Sequence, residues 1–149
     1  MKKTTILFDL DGTLVNTERG ITNCVQLALK AFGITDAAPG TLRRFIGPPV
    51  EESFQREYGF SVEKAKEATA IFRREYRVTG VNECELYPGV EDALKALRQK
   101  RFRIGLASSK PEPFCLQILE RFQVARYFDA ICGAQIDKNI RTKIQVLEV

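Results

Sequence analysis

The sequence predicts an α/β fold, a parallel sheet wrapped by helices and interrupted early by an all-helical insert. Two observations carry this. Short apolar runs that read as strands, at Ile6 to Leu14, Phe102 to Ala107 and Phe128 to Cys132, alternate with stretches of helical periodicity. Between residues 16 and 83, by contrast, one helical pattern follows another with no strand between them. In a parallel sheet ligands gather at the carboxyl ends of the strands, so residues at those ends are the candidates for chemistry.

The first strand lies in Ile6-Leu7-Phe8-Asp9-Leu10-Asp11-Gly12-Thr13-Leu14, where Gly12 permits a sharp turn after the second aspartate. Ile21, Cys24, Val25, Ala28, Leu29 and Phe32 then recur at helical spacing and stop near Gly33, a helix-ending residue. Val50, Phe54 and Tyr58 mark a second helix; Ser61 caps a third that bears Val62, Ala65, Ala68, Phe72 and Tyr76. Arg43-Arg44-Phe45-Ile46-Gly47-Pro48-Pro49 breaks any helix and leaves a stiff loop. After the insert, Pro88 and Gly89 precede a helix through Val90, Ala93, Leu94 and Leu97. The second strand ends in Ser108-Ser109-Lys110, and Pro111 and Pro113 suit the first turn of the helix carrying Cys115, Ile118, Leu119 and Phe122. A last helix spans Thr142 to Val149, with Thr142 and Gln145 spaced as a capping box.

Composition narrows the function. At 149 residues and 44% hydrophobic the chain matches one ordinary domain with a core. No apolar run approaches the ~20 residues of a membrane span. Met1-Lys2-Lys3 is not followed by a signal-peptide pattern, because Asp9 and Asp11 interrupt the apolar stretch, so the chain reads as cytoplasmic. Cys24, Cys84, Cys115 and Cys132 are scattered and there is no histidine, which argues against zinc and against a Cys-His pair. The net charge of +4 is interspersed, as on a solvated surface, and marks no nucleic-acid patch.

Asp9 and Asp11 stand one residue apart at a strand end. Two close carboxylates repel and coexist when a cation lies between them or one stays protonated. A hard cation such as Mg²⁺ suits an all-oxygen site with few protein ligands. Ser108, at another strand end, offers a hydroxyl beside the backbone N–H groups of Ser109 and Lys110, a set able to hold phosphate oxygens. Taken singly, Asp-Gly is also an ordinary turn and Ser108 an ordinary helix cap.

The string around Asp9 and Asp11 resembles the first motif of the haloacid dehalogenase-like hydrolases, and Leu106-Ala107-Ser108-Ser109-Lys110-Pro111 resembles their second. Lys143 is placed like their third, with Arg141 and Lys138 as alternatives. Phe45-Ile46-Gly47-Pro48-Pro49, Leu86-Tyr87-Pro88-Gly89-Val90 and Ser109-Lys110-Pro111 are similar to the phosphoglycolate phosphatase and 5′-nucleotidase-like branch. The resemblance implies a Rossmann-like core from residues 1–15 and 84–149 and a helical cap from residues 16–83. It implies a Mg²⁺-dependent phosphatase acting on a small phosphorylated metabolite such as phosphoglycolate or a nucleoside monophosphate, with neither nucleic acid nor membrane as partner. Asp9 would be the nucleophile and Asp11 the general acid and base. Mg²⁺ would be held by the Asp9 carboxylate and the Asp11 carbonyl. Ser108 and Lys143 would stabilise the transferring oxygens, and Gly12, Thr13, Ser109 and Lys110 would line the phosphate site. In the cap loop, Arg44 and Gly47 would contribute to substrate choice.

The family's fourth motif, an acidic pair on a further strand, has no counterpart before Val149. The expected sheet is therefore incomplete at its C-terminal side, leaving strand one an open edge suited to self-association. Two other readings stay open: a phosphate-ester-binding domain without turnover, and a phosphoryl transferase of the sugar-phosphate mutase kind.

Overall fold

A computed structural model describes residues 4–148. Met1–Lys3, part of the leader reading, and Val149, the end of the last expected helix, lie outside the described residues. In chain order the elements are β1 (Thr5–Phe8), β2 (Val15–Asn16), α1 (Glu18–Lys30), α2 (Pro39–Arg43), α3 (Val50–Tyr58), α4 (Val62–Val78), β3 (Glu85–Leu86), α5 (Val90–Gln99), β4 (Arg103–Pro111), α6 (Glu112–Arg121), β5 (Ala130–Ala134) and α7 (Lys143–Leu147). They fall into two compact units. One is Thr17–Cys84; the other is formed by the chain on either side of it.

The α/β unit is built on a three-stranded sheet in the order β1-β4-β5, with both pairings parallel. β4 is central because its residues Ile104 to Ser108 are small or apolar and all buried, the signature of a strand covered on both faces. Phe8 pairs with Leu106, and Leu106 with Ile131, which brings the carboxyl ends of the three strands to one side. Gly105 leaves room for the Leu7 side chain on β1, whose Cδ2 a Cβ there would meet at 2.7 Å and displace. Leu94 of α5 and Ile118 and Leu119 of α6 are fully buried, each contributing about 1.5–3 kcal/mol of hydrophobic stabilisation. Asp129 ties the lower end of the sheet: its Oδ2 accepts from the Ile104 N–H at 2.8 Å and from Arg98 at 2.7 Å. The Ile104 N–H, and after it Arg98, hold that carboxyl below its usual range. β1 stands at the sheet's edge, with Leu7 55% exposed.

Three features of this unit's strands depart from the sequence reading. β4 continues through Ser108–Lys110 to Pro111, with a slip in its register against β5 between Ala107 and Pro111. β5 begins at Ala130 and not at Phe128, because Ala125–Tyr127 form a 3-10 turn whose end Phe128 occupies by donating to the Ala125 carbonyl. The antiparallel pair β2–β3, where the chain leaves and re-enters this unit, has two residues on each side, too few for any periodicity.

In the helical unit α1 and α3 pack on α4 around Cys24, Val25, Leu29, Phe54, Ala65, Ala68 and Tyr76, all buried. The expected Ser61 cap is formed, its Oγ accepting from the Lys64 N–H at 3.2 Å. Gly33 ends α1 with φ +77°. α2, which ends where the expected loop begins, is a helix that the sequence reading did not assign. Pro39 at its first turn presets the backbone, and five residues are too short to show an apolar stripe. Phe54 stacks on Phe60 at 5.7 Å and meets Phe45 edge-on at 5.0 Å, so the breaker loop is anchored by aromatic packing.

Gly133 sets how closely α6 approaches β5. A Cβ on it would stand 2.6 Å from the Lys110 carbonyl oxygen and 2.6 Å from the Glu112 nitrogen. Gly133→Ala is expected to lower stability by about 1–3 kcal/mol in urea unfolding. Wild-type stability of that variant would mean the helix start has room to move.

Candidate active site

Every core candidate except Lys143 comes from the ends of β1 and β4. After Phe8 the chain passes Asp9 and folds into a tight turn in which Gly12 adopts φ +74°. The Gly12 N–H donates to the Val15 carbonyl at 3.0 Å, and the Thr13, Leu14 and Val15 N–H groups all point at the Leu10 carbonyl. The turn therefore uses the backbone donors of Gly12 and Thr13 internally; both residues are exposed on it.

Asp9 is held at both oxygens. The Leu10 N–H donates to Oδ1 at 2.8 Å, and the Lys143 ammonium donates to Oδ2 at 2.6 Å. Lys143 comes from 134 positions further along the chain. It is presented by α7, whose Thr142 and Gln145 form the expected capping box and which packs on β4 and β5. Of the three basic candidates, Lys143 is the one that reaches Asp9. Lys138 is exposed in the turn joining Gln135 to Ile140, and Arg141 precedes the cap, its N–H donating to Gln145.

Asp11 is held differently. Its side chain is only 5% exposed and its Oδ1 faces the Lys110 ammonium at 3.2 Å, with Lys110 itself 6% exposed. Ser108 is buried, and its Oγ accepts the Lys110 N–H at 3.1 Å. The Lys110 N–H is thus engaged by Ser108. Ser109, the alternate residue between them, is half-buried. The sequence reading offered Lys110 for the phosphate site but not its side-chain pair with Asp11. The signal was present, since Ser108 and Lys110 are two apart in an extended run and so share a face of the strand.

Arg44 and Gly47 belong to the helical unit. Arg44 donates to Glu57 Oε2 at 3.1 Å, Arg56 donates to the Arg44 carbonyl at 3.3 Å, and Gly47 takes φ +104°, open only to glycine without strain. Arg56 and Arg44 together hold the Glu57 carboxyl below its usual range.

Among the described residues no group of three or more Asp, Glu, Cys or His side chains converges as a metal cage. The donors present are oxygens, the Asp9 carboxylate and the Asp11 main chain. That set fits Mg²⁺, which commonly takes one or two carboxylates and fills its shell with water and phosphate oxygens. No helix among the described residues is long and apolar enough to cross a membrane.

The arrangement is that of a parallel α/β domain with a carboxylate pair and two lysines at its strand ends and a helical insert after the first strand. The haloacid dehalogenase-like hydrolase pattern matches residues 6–144, and the chain belongs to that family. It is 41% identical over 132 residues to a 5′-nucleotidase of Pseudomonas aeruginosa, covering 89% of this chain and 60% of that protein. It is 34% identical to the tyrosine-protein kinase PtkA of Mycobacterium tuberculosis, covering 95% of this chain and 48% of that protein. The crystal structure of a predicted phosphatase from Clostridium acetobutylicum superposes with a TM-score of 0.93 at 39% identity, covering 98% of this chain and 68% of the other. The chain thus spans about half to two thirds of the length of these relatives.

Behind Lys110 lies Cys115, fully buried, its Sγ donating to the Lys110 carbonyl at 3.6 Å. Burial pushes its thiol from 9.0 up to about 12, against the weaker pull of the Lys110 charge. Between those values the unfolded chain releases the proton and the folded chain keeps it, so stability falls as pH rises through that window. The urea midpoint of the wild type is expected to drop more steeply there than that of Cys115→Ala, by at most about 1.4 kcal/mol per pH unit. Parallel slopes would remove the buried thiol from the account.

Proposed function

We propose that this chain carries the core and insert of a Mg²⁺-dependent phosphatase that hydrolyses a small phosphate monoester through an aspartyl-phosphate on Asp9. The observation that carries the reading is the 2.6 Å pair of Lys143 with Asp9. It joins the first and third family motifs at one strand end, placing an ammonium beside the carboxylate where phosphate charge would gather.

The Asp9 carboxylate attacks phosphorus as the ester P–O bond breaks, and Asp11 gives its proton to the departing alkoxide. Asp11 then takes a proton from water, whose oxygen attacks the acyl phosphate, releasing inorganic phosphate and regenerating Asp9. Lys143 offsets the negative charge that nucleophile and phosphate share, and the Ser108 hydroxyl lies on the same strand end as a further oxygen contact. Mg²⁺, when held by the Asp9 carboxylate and the Asp11 carbonyl, supplies further neutralisation of the phosphate oxygens. The exposed Gly12–Thr13 turn and half-buried Ser109 are the remaining phosphate-site candidates. Arg44 and Gly47 are those for substrate choice. The 5′-nucleotidase relative supports testing nucleoside monophosphates first and phosphoglycolate second.

One observation favours a second reading. The described residues bring together two acidic side chains and no third, so a metal would be held weakly and the chain would bind phosphate esters without turning them over.

The test is Mg²⁺-dependent phosphate release by the purified chain from AMP, phosphoglycolate and p-nitrophenyl phosphate. Asp9→Asn is expected to lower release by roughly 10⁴-fold or more. Undiminished turnover by that variant removes the nucleophile assignment, and ligand binding without turnover by the wild type selects the second reading.

A further inference from the structure

We propose that Lys110 is the positioning residue for Asp11, engaging its Oδ1 and so leaving Oδ2 as the oxygen that meets the leaving group. This rests on the phosphatase reading and gives Lys110, which the motif comparison offered for the phosphate site, a different task.

The pair is built rather than incidental. Both side chains are almost wholly buried, 6% and 5% exposed, whereas the Lys143–Asp9 pair is open at 42% and 27%. A buried lysine is strongly unfavourable unless its charge is compensated, and Asp11 contributes a carboxylate to that compensation. The dependence is mutual. Asp11 Oδ1 is buried and takes no aligned hydrogen bond, so the ammonium 3.2 Å away is what offsets its charge.

The lysine is anchored at its root. Its N–H is taken by Ser108 Oγ and its carbonyl by Cys115 Sγ, and it sits on the central strand, flanked by Gly133 at van der Waals limits. A side chain rising from so restrained a backbone presents its ammonium at a defined place. An ammonium has donors and no acceptor. The oxygen facing it is therefore kept as the charged or accepting oxygen, and proton exchange with alkoxide and water falls to the other. Lys110 remains an ammonium throughout, giving up and receiving nothing in the cycle.

The substitutions are Lys110→Met, which keeps the stem and removes the charge, and Lys110→Arg, which keeps the charge. The ester series pairs AMP, a poor alkoxide leaving group, with p-nitrophenyl phosphate, whose phenolate departs without a proton. The readout is kcat/KM, which covers the steps up to the aspartyl-phosphate. Lys110→Met is expected to lower kcat/KM for AMP by about 10²-fold, in the range of general acid catalysis, and for the aryl ester by less than about 10-fold. Lys110→Arg should recover part of the AMP loss. An equal fall on both esters, as a phosphate contact or a merely structural lysine would give, overturns the proposal.

A double-mutant cycle in urea unfolding with Lys110→Met, Asp11→Asn and the double variant tests the pair independently of activity. The double variant should lose less than the sum of the singles, and strict additivity overturns the proposal even in an active enzyme. A wild type inert on every ester overturns the phosphatase reading and the catalytic role with it. Coupling would then leave only a structural pair.

Discussion

Two carboxylates one residue apart at the end of an edge strand repel each other, and the rest of the site is arranged around relieving that repulsion. Each aspartate has its own ammonium. Asp9 meets Lys143 from the far end of the chain, and Asp11 meets Lys110 from the neighbouring strand. The two pairs differ in setting. One is open to solvent and so available to exchange its lysine contact for a substrate oxygen; the other is enclosed and so suited to hold a geometry.

β4 is the element that makes both pairs available. Its covered faces call for small and apolar residues, and the run from Ile104 to Ala107 meets that demand before Ser108 and Lys110 introduce polarity at the strand's end. Glycines on two strands set the spacing. Gly105 admits the Leu7 side chain of β1, and Gly133 admits the start of α6. With α6 drawn in, Cys115 closes the space behind Lys110, and the lysine's carbonyl is satisfied without water. α7 then packs on β4 and β5, presenting Lys143 through a capped first turn.

Within the helical unit a comparable restraint acts on the loop before α3. Phe45 is buried among Phe54 and Tyr58, while Arg44 and Arg56 share Glu57. The aromatic contacts fix the loop's backbone, and the two exposed arginines converge on a Glu57 side chain that is itself largely covered. Gly47 turns the chain where any other residue would be strained.

By itself the sequence determined the long helices, the parallel α/β order, the insert, the capping box at Thr142 and the candidacy of Asp9, Asp11, Ser108 and Lys143. Those properties are local, written in periodicity, in turn residues and in motif spacing. What only the tertiary structure decided is non-local or too short to leave a pattern. α2 and the β2–β3 ladder have too few residues for a period, and the start of β5 depended on a 3-10 turn. The choice of Lys143 over Arg141 and Lys138 needed a contact across 134 positions. Lys110 is the clearest instance, because motif likeness offered it for the phosphate site, while its pair with Asp11 emerges only once the strand continues through it. Burial then sets its charge against Asp11, in the turn that follows another strand.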